Sequence, residues 1–357
     1  MNQFRIWLRK VYYGVMATVA PHEYMFNNLG IALYDQARSK SGAEADELLA
    51  RACEKYARAV AFNPEHYNAY ANWGNALFER AKIGSSTEAD EFFKQAYEKY
   101  AMAVSFKLDV DRIFDEIFYS WGIALWVQAK TKSGAEADEL FKKAYENFSK
   151  AVAIKPDRED GFFSWGIALE SQARTKSGAE ADDLYAQAYE KCAAVMALDS
   201  KRADALHLWA YVLVEQAETK SGAEADKLFE QANEKYATLI AINPKDSNVF
   251  RVWGDALSKH AKIKSGFESD GLFRQAYEKY SSVIAINPNL SSAFDSWGTS
   301  LIAQGKAKGN SEKGRRDNLL NQAREMKLKC ESLAPGEGAY DSACISALLG
   351  EEEECLN

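Results

Sequence analysis

The 357-residue sequence is poor in proline and has no excess of basic residues. Six prolines are too few for a Pro-rich disordered chain, so long helices are favoured. The chain carries 44 Lys and Arg against 52 Asp and Glu, which gives a formal net charge of −8. Because nucleic-acid-binding proteins usually carry a basic patch, this balance argues against a nucleic-acid partner.

Cysteine and histidine are also sparse, and neither type is clustered. The five cysteines are Cys53, Cys192, Cys330, Cys344 and Cys355. Zinc ribbons and disulfide frameworks need closer spacing, and an odd number without a pattern is typical of a reducing compartment. The four histidines show no metal-binding spacing either. We therefore expect a cytoplasmic protein without a metal or other cofactor.

Long apolar runs are missing as well. No stretch reaches the roughly 18 uninterrupted apolar residues of a membrane span, so no span is expected. The first twenty residues superficially resemble a signal peptide, because Arg5, Arg9 and Lys10 precede an apolar segment. Apolar residues recur at helical spacing between Phe4 and Val19, which favours a docked amphipathic helix. The sequence leaves open whether this helix contacts a membrane or only caps the fold.

What the sequence does contain is an internal repeat. Its most visible marks are Trp73, Trp121, Trp165, Trp209, Trp253 and Trp297, separated by 48 and then by 44 residues. A glycine follows the tryptophan in most copies, and a leucine lies four residues after it. The long interval contains four extra residues between Leu108 and Ile117, which predicts an earlier helix start, a longer loop or a kink. Such periodicity is typical of stacked structural repeats.

Each copy has the pattern of two helices. In the fourth copy, Phe162, Trp165 and Leu169 share one face of a helix. Lys176-Ser177-Gly178 is a helix stop, and the acidic residues that follow are typical of the first turn of a new helix. Acidic pairs such as Glu136 and Asp138 recur in these first turns, and we interpret them as helix-capping features. Because one hairpin cannot bury both apolar stripes, the copies are expected to stack.

These motifs resemble the tetratricopeptide repeat (TPR) family. Residues 162–169 read Phe-x2-Trp-Gly-x2-Leu, similar to the first-helix signature of that family, and Ala276-x3-Tyr280 followed by Pro288 resembles the second-helix signature. The copies are 44 residues long instead of 34. The resemblance implies an all-α, right-handed superhelical solenoid of TPR-like helical hairpins. We expect an N-terminal capping half repeat at 1–21, seven repeats at 22–335, and a C-terminal half repeat with an acidic tail at 336–357.

Recognition is expected on the face of the first helices that points away from the Trp-Leu stripe. The TPR resemblance implies that this face lines a concave groove. It is apolar and aromatic in the middle copies and charged towards the C-terminus. The predicted contact residues are Phe78, Tyr119, Ile123, Trp126, Phe163, Ile167 and Tyr211, with His207 and Arg251 as a polar rim.

An apolar groove of this kind predicts a non-enzymatic scaffold that binds a protein or peptide, as an amphipathic helix or an extended apolar segment. Tight curvature or the chain's own tail could instead cover the groove. Some TPR proteins bind a C-terminal carboxylate with Lys, Asn and Arg side chains in this groove. Such a carboxylate clamp is disfavoured here, because Ala71 stands one turn before Asn75, where the resemblance would require a lysine. The sequence contains no P-loop, GxSxG or HExxH motif, which argues against an enzyme.

The alternative is a structural or self-assembling protein that uses its caps or its repeated turns. Lys-Ser-Gly-Ala-Glu-Ala-Asp is identical at 40–46, 132–138, 176–182 and 220–226. Recent duplication of a sequence that favours the turn explains this identity. The alternative explanation is that the repeated turns form an edge of the molecule that contacts a partner. A plain receptor is expected to be a monomer or a weak oligomer.

Overall fold

The computed structural model describes residues 22–106, 114–309, 312–336, 345–346 and 348–349. The predicted capping helix at 1–21 lies outside these residues. So do residues 107–113 of the irregular copy and most of the predicted half repeat at 336–357. In the described part of the chain, all regular secondary structure is helical.

Fourteen α-helices are described. The first seven are α1 His22–Ala37, α2 Gly42–Phe62, α3 Tyr67–Ile83, α4 Ser86–Ser105, α5 Phe114–Ala129, α6 Gly134–Ile154 and α7 Glu159–Ala173. The others are α8 Gly178–Leu198, α9 Ala203–Glu218, α10 Gly222–Ile242, α11 Ser247–Lys262, α12 Gly266–Ile286, α13 Ser291–Lys308 and α14 Lys313–Leu333.

The helices belong to two compact units, Met1–Gln172 and Ala173–Asn357. In the first unit α1 pairs with α2, α3 with α4 and α5 with α6, and each second helix packs on the first helix of the next hairpin. In the second unit α9 packs on α8 and pairs with α10, and the hairpins α11–α12 and α13–α14 follow in the same way. The predicted all-α fold of stacked TPR-like hairpins is confirmed. None of the helices in the described ranges combines the length and apolarity that a membrane crossing requires.

The turn inside most of the hairpins depends on glycine. Gly178, Gly222 and Gly266 have φ angles of 59°, 60° and 58°, a left-handed conformation that side chains with a Cβ rarely adopt. The second helix starts at this glycine, directly after a serine in extended conformation. The turn before α4 has no such glycine, and there Ser85 and Glu88 form a capping box. The Lys-Ser-Gly signal therefore predicts both a helix end and the next helix start.

In several hairpins the core is built on a close approach of a glycine to an aromatic ring. A Cβ placed on Gly74 would lie 2.7 Å from Cε1 of Tyr100, and one on Gly254 would lie 2.6 Å from Cε1 of Tyr280. The same tyrosines stack on the tryptophan of the following hairpin. The ring centroids are 6.1 Å apart for Tyr100 and Trp121, and 6.3 Å apart for Tyr280 and Trp297. In these hairpins the Trp-Gly-Leu signature thus holds the hairpin together, and the tryptophan joins it to the preceding one.

The identical turns are explained by contacts between hairpins. Nζ of Lys264 lies 2.6 Å from Asp226, and Nζ of Lys308 lies 2.7 Å from Asp270. Each lysine also pairs with the glutamate four residues later, as in Lys264 and Glu268 at 3.0 Å. The interpretation of the acidic pairs as capping features is therefore wrong for the aspartates. They accept hydrogen bonds from the next hairpin, which accounts for the repetition of both Lys and Asp.

Candidate peptide-binding face

Six of the predicted contact residues lie in the first unit, on three successive first helices. They are Phe78 on α3, Tyr119, Ile123 and Trp126 on α5, and Phe163 and Ile167 on α7. The spacing of four and three residues along α5 places its three members on one side of the helix. All six side chains are half-buried, so each keeps part of its apolar surface accessible. We refer to these six residues as the groove face.

Trp126 is held from two sides. Its indole packs on a cluster that contains Leu140 and Phe141 of α6. Its Nε1 donates a hydrogen bond to Oγ of Ser171 on α7, at 3.3 Å. Nζ of Lys130 lies 5.2 Å from the ring centroid, within the range of a cation–π contact. Trp126 is therefore a fixed part of the groove face and also contributes to the packing of the hairpin.

Tyr119 is fixed in a similar way. Its hydroxyl lies 3.2 Å from Oγ of Ser164 on α7, and its ring is 6.2 Å from that of Phe148. The guanidinium of Arg158 lies 4.2 Å from the Tyr119 ring centroid. The two serine contacts join α5 to α7, so the groove face has its geometry before any partner arrives.

Basic side chains border the groove face at the turn end of the hairpins. Arg38, Lys82 and Lys130 occupy equivalent positions in successive copies, and all three are exposed. Lys82 pairs with Glu79 at 2.8 Å and lies 5.3 Å from the Phe78 ring centroid. We call these three residues the basic edge. The predicted contact residues do not include them, although the sequence shows one cation at this position in each of these copies.

The remaining predicted residues, His207, Tyr211 and Arg251, lie in the second unit. His207 and Tyr211 are half-buried on α9, and burial lowers the pKa of His207 below its ordinary value. Its ring meets that of Tyr236 edge-on, with centroids 6.5 Å apart. A neutral, half-buried imidazole adds little charge to a rim at neutral pH.

Arg251 is engaged within its own helix. Its guanidinium donates to Oδ2 of Asp255 at 2.9 Å, and Oδ1 of Asp255 accepts from the hydroxyl of Tyr280 at 2.9 Å. Lys259 of the same helix is paired with Glu215 and Glu218 of α9, at 3.2 and 2.6 Å. The charged part of the face in this unit is thus largely satisfied by its own ion pairs.

Solved structures of TPR-repeat proteins are similar to this chain. The C-terminal part of a TPR repeat-containing protein from Cytophaga hutchinsonii matches 86% of this chain and 95% of its own, with 12% identity and a TM-score of 0.57. The fold is that of TPR-repeat proteins. A TPR protein from Parabacteroides merdae matches 90% of this chain and 97% of its own, with 13% identity and a TM-score of 0.44. YrrB, described as a TPR protein with an unusual peptide-binding site, matches 62% and 91%, with 19% identity and a TM-score of 0.37.

One family model matches part of the sequence. Residues 183–303, about a third of the chain, match the model described as the plant-specific mitochondrial import receptor subunit TOM20. The comparison with curated proteins gives no match.

The sequence predicts no metal site, and the titratable side chains of the described part of the chain are scattered along the hairpins. No group of three His, Cys, Asp or Glu side chains there is placed to hold a metal ion. Burial raises the pKa of the Cys53 and Cys192 thiols to about 12, so both are protonated at neutral pH. Because the thiolate is the reactive form, neither cysteine is suited to act as a nucleophile.

Sequence reasoning missed the residues that hold the TPR groove face in place. Ser164 has a serine at the equivalent position in two other copies, Ser120 and Ser296, whereas Ser171 stands where the other copies carry unrelated residues. Arg158 lies in a connecting loop. Their contacts reach over about one repeat, from α7 and its preceding loop to α5. Such partners become visible only when the stacking register of the hairpins is known.

Proposed function

We propose that the chain is a non-enzymatic protein-binding scaffold whose groove face captures an apolar or amphipathic peptide segment. The observation that carries this proposal is the row of half-buried aromatic and aliphatic side chains on α3, α5 and α7, held by hydrogen bonds between helices. Accessible apolar surface arranged in this way is typical of a site for a partner helix or an extended peptide. The partial match to an import receptor model supports a receptor-like role.

The expected affinity is modest. If the partner covers a few hundred Å² of apolar surface, the gross gain is on the order of 10 kcal/mol at about 25 cal/mol per Å². Lost translational and rotational freedom offsets a large part of this gain. We therefore expect a dissociation constant in the micromolar range, about 8 kcal/mol of net binding free energy.

The contacts at the turns favour this role over self-assembly through the repeated turns. The lysine and aspartate of the repeated sequence are engaged between neighbouring hairpins, as in Lys132 and Asp90 at 2.6 Å. The glutamate of that turn also pairs with the lysine. The features that make the turns identical are therefore used inside the fold. A cytoplasmic location and a monomeric or weakly oligomeric state stay predictions.

The test compares two truncations in one hydrophobic cluster. Trp126 and Leu140 both pack against the cluster of Ala129, Ala137 and Phe141, but Leu140 lies on the second helix α6 and is not a groove-face residue. We expect both Trp126→Ala and Leu140→Ala to lower the free energy of unfolding by about 2–4 kcal/mol. Only Trp126→Ala should abolish recovery of bound proteins in a quantitative pull-down from cell extract.

The comparison separates binding from stability because both variants are expected to lose a similar free energy of unfolding. Equal recovery with Trp126→Ala and with the unmodified chain would refute the groove face as the binding surface. Equal loss with both variants would attribute the effect to unfolding and would equally contradict the proposal. Phe267→Ala serves as a surface control, because that ring is 91% exposed in the second unit and lies outside the groove face.

A further inference from the structure

A cavity of about 480 Å³ lies between the first two hairpins, at the turn end of the first unit. It is lined by Ala37, Arg38, Lys40, Ser41, Gly42, Ala45, Leu49, Glu79, Lys82 and Ile83. Two residues of the basic edge, Arg38 and Lys82, are among them. The cavity therefore adjoins the end of the proposed binding surface.

The first copy departs from the others at a residue that lines this cavity. Leu49 stands where the following copies carry a larger ring, namely Phe93, Phe141, Tyr185, Phe229 and Phe273. Each of these rings is almost completely buried. A leucine at this position leaves part of the corresponding volume unfilled.

A second departure lies in the next turn. The lysine that bridges successive hairpins elsewhere, such as Lys132, is replaced by Gly84 in the second copy. Asp46 is instead bound by Arg80, with Nε and one terminal nitrogen at 2.7 and 3.2 Å. The carboxylate is thus satisfied without any side chain from position 84. Leu49 and Gly84 are both smaller than the residues at the equivalent positions of other copies, and both lie where the first hairpin meets the second.

The cavity has an apolar floor and a basic rim. Ala37, Ala45 and Leu49 are buried, whereas Arg38 and Lys82 are exposed. Lys82 is neutralised by Glu79 at 2.8 Å, and Lys40 by Glu44 at 2.6 Å. Among the described residues Arg38 has no ion pair, so the rim has a net positive charge and one guanidinium available to a ligand.

We propose that this cavity binds a carboxylate carried on a short aliphatic stem, as presented by an acidic residue next to an aliphatic one in a bound peptide. The stem contacts Ala45 and Leu49, and the carboxylate accepts hydrogen bonds from the guanidinium of Arg38. A planar guanidinium is well suited to bind a carboxylate through two parallel hydrogen bonds. This inference rests on the proposed function, because the cavity then selects acidic partners for the neighbouring groove face.

The experiment uses isothermal titration calorimetry to measure binding of the full chain to 4-methylpentanoate and to its neutral amide, 4-methylpentanamide. The acid is expected to bind at least about tenfold more tightly than the amide, as one charge-assisted hydrogen bond provides. Leu49→Phe restores the ring of the other copies and should weaken binding of the acid at least about tenfold by filling the cavity. Arg38→Gln should weaken it to the same extent without touching the core.

Lys130→Gln is the matched control, because Lys130 is the equivalent cation two hairpins later and does not line the cavity. It should leave binding of the acid unchanged. The proposal would be overturned if the acid did not bind or if acid and amide bound equally well. It would also be overturned if Arg38→Gln bound the acid as tightly as the unmodified chain. If Leu49→Phe does not fold, Arg38→Gln decides the outcome alone, because its side chain is exposed.

A further arm uses the dipeptide N-acetyl-Leu-Glu-amide, whose only carboxylate is a side chain. Binding that depends on Arg38 supports a peptide as the source of the carboxylate. Binding of the free acid without binding of the dipeptide would overturn that assignment in favour of a small carboxylic acid. The outcome is separable from the groove-face test, since the small probes do not need Trp126 and the pull-down compares Trp126 with Leu140.

Discussion

Nζ of Lys220 lies 2.6 Å from Oδ2 of Asp182, and this contact joins the turns of two consecutive TPR-like hairpins. Oδ1 of the same carboxylate accepts a hydrogen bond from Nε2 of Gln216 at 3.0 Å. Oε1 of Gln216 in turn accepts one from the hydroxyl of Tyr189. The aspartate, the glutamine and the tyrosine recur in equivalent contacts at Gln304, between Tyr277 and Asp270. The register of neighbouring hairpins is thus specified by polar contacts as well as by the apolar core.

The first prediction concerns the pH dependence of stability. Hydrogen bonds from Lys220 and Gln216 lower the pKa of Asp182 below its ordinary value. Because the folded pKa lies below the unfolded one, the stabilisation is complete above the unfolded value of about 3.9 and is lost as the pH falls through the folded pKa. Asp182→Asn should therefore lower the free energy of unfolding at pH 7, and the difference from the unmodified chain should shrink at pH 3.

Urea unfolding at both pH values measures this difference, with Asp183→Asn as the control. Asp183 is the exposed neighbour and accepts a hydrogen bond from Gln187 of its own helix. Its replacement should change stability little at either pH. A loss for Asp182→Asn that is as large at pH 3 as at pH 7 would argue against an ionic origin.

The second prediction concerns the glycine that follows the tryptophan. A Cβ at Gly254 would lie within 3.0 Å of three ring atoms of Tyr280, and that ring is fully buried. Gly254→Ala should therefore lower the free energy of unfolding by about 1–3 kcal/mol, as overpacking typically does. Gly271→Ala should raise it by up to about 1 kcal/mol, because no atom lies within 4 Å of the new Cβ and alanine favours the helix. Denaturant unfolding of both variants compares packing with helix propensity at otherwise similar sites.

The third prediction concerns a buried lysine. Lys327 is 0% exposed, and its Nζ donates to Asp295 at 2.7 Å and to Thr299 at 2.8 Å. The Asp295 side chain is 43% exposed, so water can solvate it when the lysine is removed. Lys327→Met should thus be close to neutral, whereas Asp295→Ala leaves a buried ammonium and should cost about 3–5 kcal/mol. Chemical unfolding of the two single variants measures this asymmetry, and similar costs for both would contradict it.

The fourth prediction concerns Arg158, which pairs with a buried and with an exposed carboxylate. The Asp115 side chain is 9% exposed and that of Glu116 is 67% exposed. Asp115→Ala removes the buried partner of a largely buried guanidinium and should cost about 3–5 kcal/mol. Glu116→Ala should cost about 0–1 kcal/mol. Thermal unfolding distinguishes the two, and a smaller loss for Asp115→Ala than for Glu116→Ala would be inconsistent with the burial.

Local signals explain why the helices could be predicted so well. The Trp-Gly-Leu signature and the Lys-Ser-Gly stop act over a few residues, where periodicity and backbone preference determine the structure. The face of α5 that carries Tyr119, Ile123 and Trp126 follows from the same periodicity. The burial of these side chains does not follow from it, because Ser164 and Ser171 contact Tyr119 and Trp126 from another helix, α7. Whether these residues bind a partner stays a prediction.

Contacts over longer sequence distances account for what the sequence did not predict. The bridging role of Asp182 depends on a lysine 38 residues later, and the two meet only in one stacking register. The cavity beside Leu49 exists because this side chain is smaller than the aromatic rings of the other copies. The sequence shows the smaller residue, but it does not show whether neighbouring side chains fill the space. Arg158 was missed because connecting loops carry no periodicity from which its partners could be read.

The stacking of three tryptophans on the tyrosine of the preceding hairpin has a practical consequence. Trp121 rests on Tyr100, Trp253 on Tyr236 and Trp297 on Tyr280, so each indole occupies the seam between two neighbouring hairpins. Indole emission responds to water and to nearby quenching groups. If two neighbouring hairpins separate, the fluorescence of the tryptophan between them will change before the rest of the unit unfolds. Variants that keep a single indole would therefore report, seam by seam, where each unit begins to come apart.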